Sequence, residues 1–258
     1  MPYFSIITSV LNRDKSIARC IESVANQKNV ILEHIIIDGN SKDGTIEIVE
    51  EYKKKYKHIV FKSENDTGIY NAWNKAIELA TGSWYLFLGS DDYLVKDNVL
   101  EKVKQNIQLS SEQLSFISCL LFKGNSKNVV GDKSFADNPF DGPSFKMPPH
   151  GALFHSSAIF VNGYRFDESY KAAADKKLYF QLFGQANIQY INIIVTFFSL
   201  GGITNSSGKK LKLWLEKNRI RKEFNHPIVP KPYFRSLLSV CFGDILHFKK
   251  RFSITKSK

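Results

Sequence analysis

Apolar and polar positions fall into alternating blocks along the first part of the chain. Residues 3–10, YFSIITSV, form a β-branched and aromatic run that reads as a buried strand. Ile17, Cys20, Ile21 and Val24 then recur at the i, i+3, i+4, i+7 spacing of an amphipathic helix. Residues 31–38, ILEHIIID, stay apolar almost to Asp38, which suits a parallel strand covered on both faces. A helix to about Tyr56 and a short strand at 58–63 follow. Trp73, Ala76, Ile77 and Ala80 then stripe a third helix, and WYLFLGS at 84–90 is a fourth strand. Strand and helix alternate throughout, which predicts a parallel α/β sheet with right-handed crossovers.

The pattern is less regular beyond residue 92. LSFISCLLF at 114–122 and INIIVTFFSLGG at 191–202 read as strands, and AAADKKLYFQLF at 172–183 as a helix with Asp175 in its first turn. Between them, residues 135–151 hold four of the eight prolines and read as an irregular loop of a length that is often functional. From Tyr233 to Phe248, Phe234, Leu237, Leu238, Cys241, Ile245 and Phe248 share one helical face, with a basic KKRF after it.

Parallel α/β sheets bind ligands beyond the carboxyl ends of their strands. Four polar segments fall at those ends: Ser9–Asp14, Asp38–Thr45, Ser63–Gly68 and Ser90–Asp92. The last follows an apolar run directly with two adjacent carboxylates, Asp91 and Asp92. Buried together, they need a cation or hydrogen-bond donors to balance their charge.

Composition and the chain's local make-up sharpen this picture. With 43% hydrophobic and 13% aromatic residues, the 258-residue chain has material for a full core. No run of about 18 apolar residues occurs, so a spanning helix is not expected. The N-terminal residues lack a basic segment ahead of an apolar one, so no secretory signal is expected. Cys20, Cys119 and Cys241 are far apart and lack metal-ligand spacing, which fits reduced thiols in a cytoplasmic protein. The net charge of +11 is unevenly placed: residues 209–258 hold fourteen Lys/Arg against three Asp/Glu, and the preceding 208 hold twenty-two of each. A neutral body with a basic tail results.

Three linked segments carry a family resemblance: FSIITSVLNR, IIIDGNSKDGT and SENDTGIYNAWNKAIELATGSWYLFLGSDD. Together with HGALF (150–154), GYRFDESYKAAADKKLYFQL (163–182) and FSLGGIT (198–204), they resemble the family-2 glycosyltransferases of the bacterial surface-polysaccharide branch. The resemblance spans residues 3–205. It implies a GT-A fold: a Rossmann-like, mostly parallel central sheet flanked by helices, forming a domain at 1–205. Residues 206–258 would be a basic, aromatic-rich helical extension.

The resemblance also assigns chemistry. Such enzymes bind a nucleotide-diphosphate sugar, here a UDP-sugar by family weight, whose diphosphate needs countercharge. Asp92 matches the metal-binding position of an Asp-x-Asp-like motif that has Ser90 first, and Asp91 the position near the ribose or donor sugar. Hard oxygen ligands favour Mn²⁺ or Mg²⁺. Asp38 belongs by resemblance to the nucleotide-binding cluster, with Thr8, Ser9 and Asn12 in the same pocket. Relatives often carry a further acid where this chain has Gly39. Asp66, Gly68, Asn74 and Lys75 match the segment after the third strand that approaches the nucleotide. Asp175 matches the general base of an inverting transfer, although relatives often have Glu-Asp where this chain has Ala174-Asp175. His150 matches a histidine near the active site.

The expected acceptor is a saccharide on a polyprenyl-diphosphate lipid. The basic, amphipathic tail reads as an interfacial segment, placing the protein peripherally on the inner face of the cell membrane. Two other readings compete. One is a GT-A protein that binds nucleotide sugar but acts only in assembly, which predicts loss of the metal or base residue. The other is a nucleic-acid module, which the neutral body and acidic strand ends oppose. No residue pattern specifies an oligomeric state.

Overall fold

The computed structural model describes residues 1–124, 128–131, 133, 147–199 and 207–227. The chain divides into two compact units, Met1–Gly202 and Ile203–Lys258. In the first unit the strands are β1 (Phe4–Val10), β2 (Leu32–Asp38), β3 (Ile59–Ser63), β4 (Trp84–Phe87), β5 (Tyr93–Leu94), β6 (Ser115–Lys123), β7 (Asn128–Val130), β8 (Leu153–Ser156) and β9 (Asn187–Phe198). Its helices are α1 (Ile17–Ala25), α2 (Thr45–Lys55), α3 (Ile69–Ile77), α4 (Val99–Asn106), α5 (Ser157–Val161) and α6 (Ala174–Leu182). The second unit contains α7 (Ser207–Glu223).

All but one of these strands join in the order β3-β2-β1-β4-β8-β6-β9-β5, and β7 pairs with β6. The four N-terminal strands are parallel, as the alternation of strand and helix predicts. Beyond β4 the sheet is mixed. β8 runs antiparallel to both β4 and β6, β9 runs parallel to β6, and β5 closes the edge antiparallel to β9. The slot beside β4 is thus filled by LFHS, four residues from much later in the chain, too few for their own pattern to reveal a direction.

Side chains alternate across the strands, so one sequence supplies two cores. Ile6, Ile36 and Leu86 pack with the α1 stripe Ile17, Cys20, Ile21 and Val24 and with Val99, Leu100 and Val103 of α4. On the opposite face the rings of Trp73, Phe87 and Phe166 pack at 4.9–5.1 Å centroid separations. Losing any one of these rings to alanine would cost about 3–5 kcal/mol.

Four elements differ from expectation. Helix α3 stops at Ile77, so Ala80 lies outside it, because the chain turns through Thr81-Gly82 into β4. β4 ends at Phe87, and Gly89-Ser90 belong to a turn closed by the Asp92 N–H on the Gly89 carbonyl at 3.0 Å. α4 and the two-residue β5 have no counterpart among the predicted elements. Most of the proline-rich loop, residues 200–204 of the FSLGGIT segment and the amphipathic stretch 233–248 lie outside the described residues. Among the described residues no helix is long and apolar enough to cross a membrane.

Candidate active site

The parallel register brings the predicted strand ends to one edge: Val10 pairs with Asp38 and Asp38 with Ser63. Leu88 extends the β1–β4 ladder by one bond, its N–H on the Ile7 carbonyl at 2.8 Å, and so delivers the SDD turn to the same edge.

Asp38 is wholly buried there. Its carboxylate accepts the Ser41 N–H at 3.0 Å, the Ser63 hydroxyl at 2.7 Å and, in a short bond, the Ser41 hydroxyl. Ser41 Oγ in turn accepts the Asn12 N–H at 2.8 Å, and Asn12 Oδ1 accepts the Lys42 N–H at 2.8 Å. Asn12 adopts the left-handed conformation, φ 52°, that Asn tolerates better than most residues. Asp38 and Asn12 therefore lock two strand-end loops together. Thr8 is also fully buried, and its hydroxyl pairs with His34 Nε2 at 3.0 Å within the core. Ser9, its neighbour, is half-buried on the alternate face.

The β3–α3 loop carries Asp66 over this floor. Asp66 Oδ1 accepts the Gly68 N–H at 2.9 Å, and Gly68 enters α3 at φ 134°, a conformation side chains rarely adopt. Asp66 Oδ2 lies 2.6 Å from where a Cβ on Gly39 would sit. A side chain at 39 would collide with that carboxylate, so the absent acid at 39 and the approach of Asp66 go together. Lys75 and Asn74 brace the walls. Lys75 Nζ donates to the Asn65 carbonyl at 2.8 Å and pairs with Glu64 at 2.9 Å. Asn74 bonds the Phe166 backbone at 2.9 and 3.0 Å and Glu168 at 2.9 Å.

The SDD turn is held less completely. A Cβ on Gly89 would lie 2.6 Å from Asp92 Oδ2 and 3.2 Å from Asp91 Oδ1, so both carboxylates converge over the glycine. Asp92 is only 5% exposed, and its Oδ1 accepts the Ser199 N–H at 2.8 Å. Burial pushes this carboxyl up to about 7; the Asp91 charge adds to the effect and the Ser199 N–H opposes it. Arg19 Nη2 and Ser199 Oγ both donate to the Asp91 carbonyl, at 2.8 and 2.6 Å. Beneath the turn, Cys20 Sγ reaches the Gly89 carbonyl at 3.5 Å; burial raises this thiol to about 12, so it is no nucleophile. Cys20 and Cys119 are free and buried, and Cys241 lies outside the described residues.

A buried, charge-poor carboxylate beside a second one suits a divalent cation. Among the described residues no three His, Cys, Asp or Glu side chains gather around one point. The protein would then supply a single carboxylate of the turn, Asp92, and a bound diphosphate and water the rest.

His150 and Asp175 come together in the second half of the sheet. His150 sits in a single 3₁₀ turn before β8, stacked against Trp73 at 4.8 Å and Phe87 at 5.4 Å. Both its ring nitrogens are buried without a hydrogen-bond partner, and burial holds its pKa down to about 4, so the ring is neutral. Asp175 Oδ1 accepts the Tyr70 hydroxyl at 3.1 Å, and Lys176 Nζ lies 3.5 Å from Oδ2. Burial favours protonation of Asp175, but Lys176 foremost, then His150 and the Lys176 N–H, and last the Tyr70 bond together outweigh it and hold the carboxyl below its ordinary value. Tyr70, Lys176, Arg19 and Ser199 are absent from the sequence-based set. Tyr70 reads as a core aromatic and Arg19 as a solvated helix residue, and only tertiary contact shows otherwise.

The family model for glycosyl transferase family 2 matches residues 5–160. A "PGL/p-HBAD biosynthesis glycosyltransferase" of Mycobacterium bovis is 28% identical over 211 residues, spanning 80% of each chain. Among solved structures, Staphylococcus aureus TarS 1-349 in complex with UDP-GlcNAc has a TM-score of 0.65 at 19% identity, over 88% of this chain and 68% of that one. The mannosyltransferase PcManGT of Pyrobaculum calidifontis, in complex with GDP-Man and Mn2+, has a TM-score of 0.65 at 16% identity, over 93% and 68%. These likenesses identify the fold as GT-A.

Proposed function

The chain belongs to glycosyl transferase family 2, and we propose that it is an inverting, metal-dependent transferase. It moves a sugar from a UDP-sugar to a saccharide acceptor, carried on a polyprenyl-diphosphate lipid, in bacterial surface-polysaccharide synthesis. The observation that carries this reading is the pair Asp91–Asp92, converging over Gly89 at the carboxyl edge with Asp92 buried and short of donors.

In this reading Asp92 would hold Mn²⁺ or Mg²⁺, which would supply countercharge for the leaving diphosphate, and Asp91 faces the ribose or donor sugar. Asp66 offers Oδ2 to a base N–H in the place an acid at 39 would take. Asp38 and Asn12 shape the floor beneath the nucleotide. The acceptor hydroxyl gives its proton to Asp175 as its oxygen bonds to the anomeric carbon; the bond from that carbon to the phosphate oxygen breaks, and its electrons leave with the nucleoside diphosphate. His150, neutral and unpartnered, offers a hydrogen bond to a bound sugar hydroxyl or phosphate. Residues 1–205 form the transferase domain. Residues 206–258 dock peripherally on the cytoplasmic face of the membrane through their basic, amphipathic stretch. Unchanged binding to anionic liposomes after removal of residues 230–258 would remove that last element.

The deciding experiment is calorimetry and thermal shift with UDP-, GDP-, dTDP- and CMP-sugars, with and without Mn²⁺, on wild type and Asp92→Ala. One nucleotide should stabilise the wild type in a metal-dependent way, and the variant should lose that response. Silence toward every nucleotide would instead leave a GT-A protein acting only in assembly.

A further inference from the structure

We propose that Tyr70 is a positioning residue for the transfer: its hydroxyl fixes Asp175 Oδ1 and so leaves Oδ2 as the oxygen that takes the acceptor proton. This rests on the reading of Asp175 as the base. Tyr70 lies in the first turn of α3 and Asp175 in the first turn of α6, so the bond ties the donor-side helix to the helix carrying the base.

Three observations support a rigid, directional strut. The Tyr70 side chain is 5% exposed, with its ring stacked on Phe166 at 5.8 Å and edge-on to Trp73 at 5.3 Å. The ring therefore has little freedom to carry its hydroxyl elsewhere. Its hydroxyl proton goes to Asp175 Oδ1 at 3.1 Å. Finally, burial and the Asp175 charge keep this phenol protonated well above its ordinary range, so it remains a donor at any working pH.

The carboxylate is thereby sorted into two unlike oxygens. Oδ1 is occupied by a fixed, neutral donor. Oδ2 has the longer contact to Lys176 Nζ at 3.5 Å. Proton transfer to Oδ2 needs one lone pair, and an ammonium at that distance leaves it. Besides Tyr70 and Lys176, the titratable groups around Asp175 are His150 and His155, both held neutral by burial.

The test compares Tyr70→Phe, which keeps the ring packing, with Lys176→Met. Carboxyl ¹³C NMR of the full chain, with the Asp175 signal assigned through Asp175→Asn, reads the base directly and needs no substrate. Tyr70→Phe should raise the proton affinity of Asp175 about tenfold. With UDP-N-acetylglucosamine and UDP-glucose as donors, it should lower kcat about tenfold and move the acid limb of kcat/KM to higher pH. Binding of UDP with Mn²⁺ should not change. Lys176→Met should also raise the proton affinity while losing less of the kcat plateau, since Oδ1 stays fixed. An unmoved Asp175 titration in Tyr70→Phe overturns the inference, as does an equal loss of plateau in both variants. Near-normal turnover in Asp175→Asn is a separate result, which removes the base assignment itself.

Discussion

At the carboxyl ends of β1–β3 the polar side chains hydrogen-bond to one another, whereas His150 and His155, before and within β8, face aromatic rings and leave ring nitrogens unpaired. Asp38 has three donors, and Asn12, Ser41 and Ser63 complete its network. His150 has none on either ring nitrogen, and His155 Nδ1 has none. Both regions sit in the same sheet, so the contrast is one of task. A saturated network makes a stiff floor. Buried groups with unmet capacity cost stability and are kept where a ligand or a reaction completes them.

Asp175→Asn tests this contrast most severely. If the second region holds the chemistry, turnover should fall by about 10³-fold, within the span removed by loss of a general base. Calorimetric binding of UDP and Mn²⁺ should stay at the wild-type level, because the amide keeps the shape and the Tyr70 contact. Weakened UDP binding would place Asp175 in the donor pocket and merge the two regions.

Asp38→Ala should do the reverse. It strands the Ser41 N–H and two hydroxyls beside a cavity, at about 1–3 kcal/mol for each buried group left unpaired. A fall in Tm of several degrees is expected, with nucleotide affinity lost along with the loop geometry. A full-strength Tm with lost binding would mean that Asp38 touches the nucleotide and is not structural.

The strand-end motifs were legible because turn residues and continuous apolar strands are local signals, and four of them on one edge constrain each other. That logic located Asp38, Asp66 and the SDD turn at one edge. It did not show which side chains face a ligand. Thr8, Asn74 and Lys75 lie within the segments that resemble the family, yet their polar atoms bond to His34, to Phe166 and Glu168, and to Asn65 and Glu64. Spacing along a chain cannot reveal partners 26 to 94 residues away, such as His34 for Thr8 and Glu168 for Asn74. Tyr70 escaped notice for the same reason: its partner, Asp175, is 105 residues distant.

The buried histidines and Asp92 should answer pH with opposite signs, an effect of a few kcal/mol. Unfolded histidine protonates near pH 6.5, but buried His34 resists to about 3 and His150 to about 4. Between those values the unfolded chain binds more protons, so stability falls as the pH drops, by about 3 kcal/mol for His150 alone when fully expressed. Asp92 runs the other way. Folded, it holds its proton up to about 7, against 3.8 for an ordinary Asp, so the metal-free protein gains stability as the pH falls through 7. In EDTA, Tm should rise from pH 8 toward 6.5 and then fall. Asp92→Asn should flatten the first limb and spare the second. A Tm that falls steadily from pH 8 in the wild type would remove the strain assigned to Asp92.

The smallest effect falls on Thr8, where family resemblance and geometry disagree most. Resemblance puts Thr8 in the nucleotide pocket; the structure buries it completely, with its hydroxyl on His34 Nε2 at 3.0 Å and its oxygen 3.8 Å from Cys20 Sγ. Thr8→Val keeps the shape and removes that hydroxyl. His34 Nδ1 is already without a partner, so the variant leaves the whole ring unpaired in the core. The expected cost is about 1–2 kcal/mol of stability, read as a lower midpoint in urea with an unchanged slope. Affinity for UDP with Mn²⁺ should match the wild type, since no part of the hydroxyl reaches the carboxyl edge. A loss of affinity with no loss of stability would return Thr8 to the pocket. It would also mean that the first region is less saturated, and nearer in character to the second, than its hydrogen bonds indicate.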